Sequence, residues 1–202
     1  MLRRSYFAVV FSIAAFLIAS TASFAGDAPA VAVNKLHGAL LTNMKDAAAL
    51  EFEGRRAQLA PVVQDVFDLE TMARVSTGAA WRNINEAERA GIVNAFADWT
   101  VANYASQFDG FDGERFKISS ETDAGRGNVL VNTALVTKTE TVALNYRLRR
   151  KGDDWRIIDI YMDGAVSQLA MRRGEFAAVL GQGGVAQLID HMRALTSKLA
   201  SS

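Results

Sequence analysis

Between Phe116 and Met162 the hydrophobic period of the chain drops from 3.6 to 2, and this block constrains the fold more than any other feature. Four runs read as strands: 116–121, 128–137, 141–149 and 155–162. The turn segments between them, 123–127, 138–140 and 151–154, are short. A parallel neighbour needs roughly a dozen connecting residues, so consecutive runs must pair antiparallel as a four-stranded meander. The third run alternates most clearly. Val142, Leu144, Tyr146 and Leu148 fall on one face; Ala143, Asn145, Arg147 and Arg149 fall on the other.

Helical periodicity brackets this block. A first helix begins at Val33, with Leu36, Leu40 and Leu41 on the same side. A second spans 53–66, with Leu59, Val62, Val63 and Val66 as its stripe. Pro61 lies inside it and is expected to kink it or divide it in two. Asp68 stands where an N-cap would, and Asn85 with Glu88 three residues later forms a capping-box pattern. The helix that Asn85 opens runs to about Phe108 and has a broad apolar surface, so it is mostly covered. After the sheet, one helix spans 165–180 and a second starts at Val185, with the glycine-rich 181–184 between them. Helices, then an antiparallel sheet, then helices define an α+β class in one domain, 33–200.

The N-terminus reads as an export signal over 1–25. Arg3 and Arg4 form a basic n-region, residues 6–18 an apolar h-region, and Ser23-Phe24-Ala25 a small-residue cleavage site before Gly26. A retained anchor is the other reading, although the apolar run is short for a span. Residues 26–32 read as a flexible leader. Cleavage of 25 residues from 202 leaves 177, enough for one domain with a sizeable core. Arg3 and Arg4 leave with the signal, so 20 basic residues face 22 acidic ones, which argues against a nucleic-acid partner. The chain has no cysteine, so neither disulfides nor acylation at a lipoprotein site can occur.

No catalytic or metal constellation is legible, and no catalytic residue, metal or cofactor is assigned. His37 and His191 both fall on predicted helices with no nucleophile motif beside them. No H-x-x-x-H pair or calcium-loop spacing occurs. The glycines of 181–184 lie between helices rather than after a strand, so they read as a helix end and hinge, not a phosphate loop. Asp159, within the fourth strand, reads as a brace for a strand-to-helix junction; its rival reading is a general base. Asp163 reads as a helix cap, with Ser167 competing for that role. Arg172 and Arg173 are adjacent on a helix and cannot both point inward; the favoured reading for each is a surface or salt-bridge role, and the other reading is that one of them reaches an anionic ligand.

FDLETMAR at 67–74, Trp81 and the region of Tyr104 and Phe108 resemble the MlaC/toluene-tolerance family. So does the ordered pattern Trp155, Ile157, Asp159, Ile160, Asp163, Gly164, Val166, Ser167, Arg172, Arg173, Glu175 and Phe176. The likeness runs over nearly the whole exported chain. Two departures stand out: the family commonly has Glu-Gly-Val-Ser, and here Asp163 replaces the Glu and Ala165 is inserted before Val166. In these features the chain is similar to the HpnM branch, associated with hopanoid biosynthesis loci.

The resemblance implies a periplasmic carrier of phospholipid or hopanoid-type lipid. Its implied partners are an inner-membrane ABC-type transporter complex and an outer-membrane complex, and the carrier is expected to be a monomer. The implied fold is NTF2-like, a curved antiparallel sheet under helices with lipid tails between. Each exposed CH₂ costs about 0.8 kcal/mol, so a sixteen-carbon tail in water costs about 12 kcal/mol and needs a sheath. Two tails call for a cavity near the upper end of the usual ~300–1,000 Å³. The tail site is then expected at Val142, Leu144, Tyr146 and Leu148 from the sheet and Phe67, Met72, Trp99, Val166 and Leu169 from the helices. The opposite sheet face is the alternative. Arg172 and Arg173 are the candidates for head-group or partner contact. Two rival functions stand beside this one: an isomerase-type enzyme using Asp159 with Tyr146, and an envelope adaptor that carries no lipid.

Overall fold

A computed structural model describes residues 28–201; the expected export signal and its expected cleavage site lie outside them. Strands β1 (Arg115–Asp123), β2 (Asn128–Val136), β3 (Thr141–Lys151) and β4 (Asp154–Met162) pair antiparallel in chain order. A fifth strand, β5 (Val166–Ser167), extends the sheet, with Met162 opposite Val166 and Tyr161 opposite Ser167. The expected four strands are therefore five, and Val166 lies in a strand rather than on a helix starting at 165.

The reason is local. Asp163 and Gly164 both take positive φ, 50° and 77°, and the Ala165 N–H donates to the Met162 carbonyl at 3.2 Å. Two consecutive left-handed residues make a hairpin-type turn, which folds the chain back onto β4 before a helix can start. Asp163 thus shapes the turn, and Ser167 is the helix cap, its hydroxyl accepting from the Ala170 N–H at 3.0 Å.

The helices are α1 (Pro29–Lys45), α2 (Ala47–Val66), α3 (Leu69–Thr77), a 3-10 segment (Gly78–Asn83), α4 (Glu86–Gln107) and α5 (Gln168–Ala200). Helix α1 starts at Pro29, inside the stretch expected to be a flexible leader. A proline in the first turn has its φ pre-set and lacks an N–H that the helix could not have used. Pro61 does not divide α2. The helical trace breaks at Glu51 instead (φ 53°, ψ −174°), while Leu59, Val63 and Val66 are buried on either side of the proline and hold the helix through it.

Both sequence-read caps form. The Asp68 carboxylate accepts from the Thr71 N–H at 3.3 Å, and Asn85 and Glu88 exchange hydrogen bonds of 2.9 and 3.3 Å. Helix α5 is interrupted at Gly184 (φ 70°, ψ −158°), at the end of the glycine-rich stretch.

Two register slips bend the sheet, one between Ile118 and Ser120 and one between Arg147 and Leu148, where Ile158 is left over on β4. The second slip changes the phase of β4, so that Tyr146 pairs with Ile160 and Leu148 with Ile157. Both pairs belong to the face that packs against the helices, where Tyr146, Leu148 and Ile157 are wholly buried. His37 of α1 stacks on Phe116, with ring centroids 4.1 Å apart, and its Nε2 lies 3.2 Å from the Tyr146 hydroxyl. Burial pushes the His37 imidazole down to about 4.

Candidate functional site

Helix α4 presents Phe96, Trp99, Thr100, Asn103, Tyr104 and Gln107 along one face at helical spacing, and its C-cap residue Phe108 follows them. Opposite it, β2 supplies Leu135, β3 supplies Val142 and Leu144, and β4 supplies Ile160 and Met162. Met72 of α3 and Gln168, Leu169 and Arg172 of α5 complete the wall of a cavity of about 290 Å³. The sheet residues share a face because Leu135 pairs with Val142 and Leu144 with Met162. The volume lies at the lower end of the range for small-molecule sites, not the upper end expected for two lipid tails.

The structure brings together part of the expected set. Val142, Leu144, Met72, Trp99, Leu169 and Arg172 line the cavity. Tyr146 and Leu148 lie on the same sheet face but farther along β3, wholly buried in the core. Phe67 pairs its backbone with Ile157 and sets its ring 5.8 Å from Tyr104, behind the cavity wall. Val166 is 45% exposed in β5, and Arg173 packs against Gly78. Neither lines the cavity.

Leu135 and Met162 were accessible to sequence reasoning as cross-strand neighbours of Val142 and Leu144. Asn103 falls on the stripe of Phe96 and Trp99 and was legible with them; Thr100 and Gln107 were not, because a polar residue at helical spacing reads as solvent-facing.

The junction after β4 is fixed by one carboxylate. Asp159 accepts the Ser167 hydroxyl at 2.6 Å, the Leu169 N–H at 3.3 Å and the Ile160 N–H at 2.8 Å. These bonds set where α5 begins, and hence where Leu169 and Arg172 meet the cavity. Asp159 and Tyr146, the pair the isomerase reading needs, are engaged apart from each other: Tyr146 bonds His37 on the helix side, while Asp159 pairs with Arg147 at the next position along the ladder. Burial raises the Tyr146 phenol well above its ordinary range, with Tyr104 adding to it.

Arg172 is the one charged side chain among the described lining residues. Its guanidinium lies 4.7 Å from the Trp99 ring centroid and donates to Glu175 at 2.7 Å. His191, beyond the Gly184 break, places its Nε2 2.7 Å from the other Glu175 oxygen. Burial works against the Glu175 carboxylate, but hydrogen bonds from His191 and Arg172 outweigh it and hold the group below the usual glutamate range.

An antiparallel sheet roofed by helices, with a mostly apolar cavity between the layers and a single cation among its described lining residues, defines an α+β protein of cup type. The sequence matches the family model described as MlaC protein over residues 34–194, and the chain belongs to that family. Among solved structures, the fold is similar to the phospholipid-binding protein from Ralstonia solanacearum, determined in complex with a phospholipid. The TM-score is 0.74 at 19% identity, covering 84% of this chain and 97% of that one. No curated protein matches the sequence.

Proposed function

We propose that this protein is a periplasmic lipid carrier, holding acyl tails in the cavity and leaving the head group at its rim beside Arg172. The observation that carries this reading is the cavity itself: walls of Phe96, Trp99, Phe108, Leu144, Ile160 and Met162, with one cation, Arg172. Apolar walls shield tails, and a lone cation suits a phosphate at the exit. Family membership and the fold shared with a phospholipid-binding protein support the same reading. Transfer then needs no catalysis. The exported chain loads at an inner-membrane ABC-type transporter complex and exchanges with an outer-membrane complex, as a monomer, in the direction set by relative affinities.

Phospholipid is favoured over hopanoid. Asp163 and Ala165, which suggest the HpnM branch, sit in the β4–β5 turn and do not line the cavity. At about 290 Å³ the cavity must widen to take two tails, and the part of α5 before Gly184 is the wall best placed to yield.

Native mass spectrometry of gently purified protein tests the proposal. A stoichiometric phospholipid mass is the expected result. A hopanoid mass would redirect the ligand, and protein that never carries lipid would leave the adaptor reading in its place.

A further inference from the structure

Gln168, Arg172 and Glu175 stand at i, i+4 and i+7 on α5, a line that runs from the cavity wall outward along the helix. Gln168 and Arg172 belong to the wall; Glu175 lies just beyond it. The Arg172 and Glu175 side chains are 30% and 31% exposed, so a ligand group can reach them while solvent screens them only in part. The other polar wall residues, Thr100, Asn103, Gln107 and Gln168, are uncharged. The only fixed charge among the described wall residues is therefore answered at 2.7 Å by a carboxylate, and the Arg172 side of the cavity carries an adjacent positive and negative group rather than a net cation.

We propose that Glu175 makes the cavity exit selective for lipids with a zwitterionic head group over lipids with a purely anionic one. This inference rests on the carrier reading above. A head group such as phosphoethanolamine presents a phosphate to Arg172 and an ammonium to Glu175, so each charge meets its opposite. A phosphoglycerol head presents only the phosphate, which Arg172 attracts and Glu175 repels. Glu175 is thus a specificity-determining residue, and Arg172, 4.7 Å over the Trp99 ring, is the group it acts beside. His191 holds the second Glu175 oxygen, so the carboxylate cannot swing away from the exit without breaking a 2.7 Å contact.

The test is a competition. Purified protein is incubated with vesicles of phosphatidylethanolamine and phosphatidylglycerol in equal amounts and separated by flotation, and the bound lipid is extracted and quantified by mass spectrometry. The wild-type pool should be enriched in phosphatidylethanolamine relative to the vesicles. Glu175→Gln, nearly isosteric and still able to hydrogen-bond, should shift the bound ratio toward phosphatidylglycerol by about threefold or more, as expected for removing one partly screened charge beside the phosphate. Bound phosphatidylethanolamine should fall while bound phosphatidylglycerol holds or rises. A merely structural role for Glu175 would lower both lipids together and leave the ratio alone.

A wild-type pool in vesicle proportion or enriched in phosphatidylglycerol overturns the proposal without any variant, as does an unchanged ratio in Glu175→Gln. Wild-type protein that extracts neither lipid overturns the carrier reading itself, by a different signature.

Discussion

The Asp159 carboxylate receives the Ser167 hydroxyl at 2.6 Å while Ser167 in turn caps the first turn of α5, so one strand residue sets the start of the helix that closes the cavity. Asp159 is buried, and its oxygens have three protein donors. Ser167→Ala removes both the cap and one of those donors and should destabilise the protein by about 1–2 kcal/mol. Asp159→Asn should cost a similar amount while lipid co-purification is retained. Urea unfolding monitored by circular dichroism measures both. Loss of a chemical activity in Asp159→Asn with binding intact would instead favour the isomerase-type reading.

Leu144 is buried at the cavity wall, between Val142 and Tyr146 on the helix-facing side of β3. Leu144→Trp should fill the space and block lipid uptake. Overpacking costs roughly 1–3 kcal/mol, less than the stability of an ordinary domain, so unfolding should stay cooperative. If the variant co-purifies with a full complement of lipid, this cavity is not where the tails lie.

His37 makes stability depend on pH in a definite direction. Its imidazole is held at about 4 by burial, against 6.5 in the unfolded chain. Between these values the unfolded state binds more protons than the folded one. The contribution is therefore fully present above pH 6.5 and is lost as pH falls toward 4, by up to about 3 kcal/mol. His37→Gln should flatten the stability–pH curve across that window, whatever its effect at neutral pH. Chemical denaturation at intervals from pH 7 to pH 4.5 gives the slope, and an equal slope in both proteins would contradict the assignment.

Gly184 and Gly181 should respond oppositely to alanine. At Gly184 the backbone sits at φ 70° and ψ −158°, a region open in practice only to glycine, and there is open space for a methyl group. Gly184→Ala should therefore destabilise by about 1–3 kcal/mol through backbone strain alone. Gly181 lies in the helical part of α5, also with open space, so Gly181→Ala should stabilise by up to about 1 kcal/mol. Thermal unfolding of the two variants side by side distinguishes a conformational requirement at 184 from a general preference for glycine in this stretch.

Much of the secondary structure was legible because it follows from local rules. The alternation along Thr141–Lys151, the Asn85–Glu88 capping box and the Asp68 cap each depend on residues within a few positions of one another. Two differences came from equally local signals read too simply. Asp163-Gly164 looked like the approach to a helix, yet both residues adopt positive φ and make a hairpin turn that creates β5. Of the two outcomes expected at Pro61, a kink or a division, the division does not occur: Leu59, Val63 and Val66 are buried around it and the helix runs through. In the second case tertiary burial outweighs a local preference.

The site divides along the same line. Alternation by itself determined that Val142, Leu144, Tyr146 and Leu148 share a face, since a period of 2 follows from strand geometry. Only the tertiary structure decided that this face is lined by empty space at Val142 and Leu144 and by packed core at Tyr146 and Leu148. That choice depends on how α1 packs on the bent sheet and on His37 meeting Tyr146 across 109 residues of chain. The pairing of Arg172 with Glu175 was available from their spacing on one helix, but the place of Arg172 in a cavity wall was not. A cavity is what remains after elements distant in sequence have packed, and no local pattern encodes that remainder.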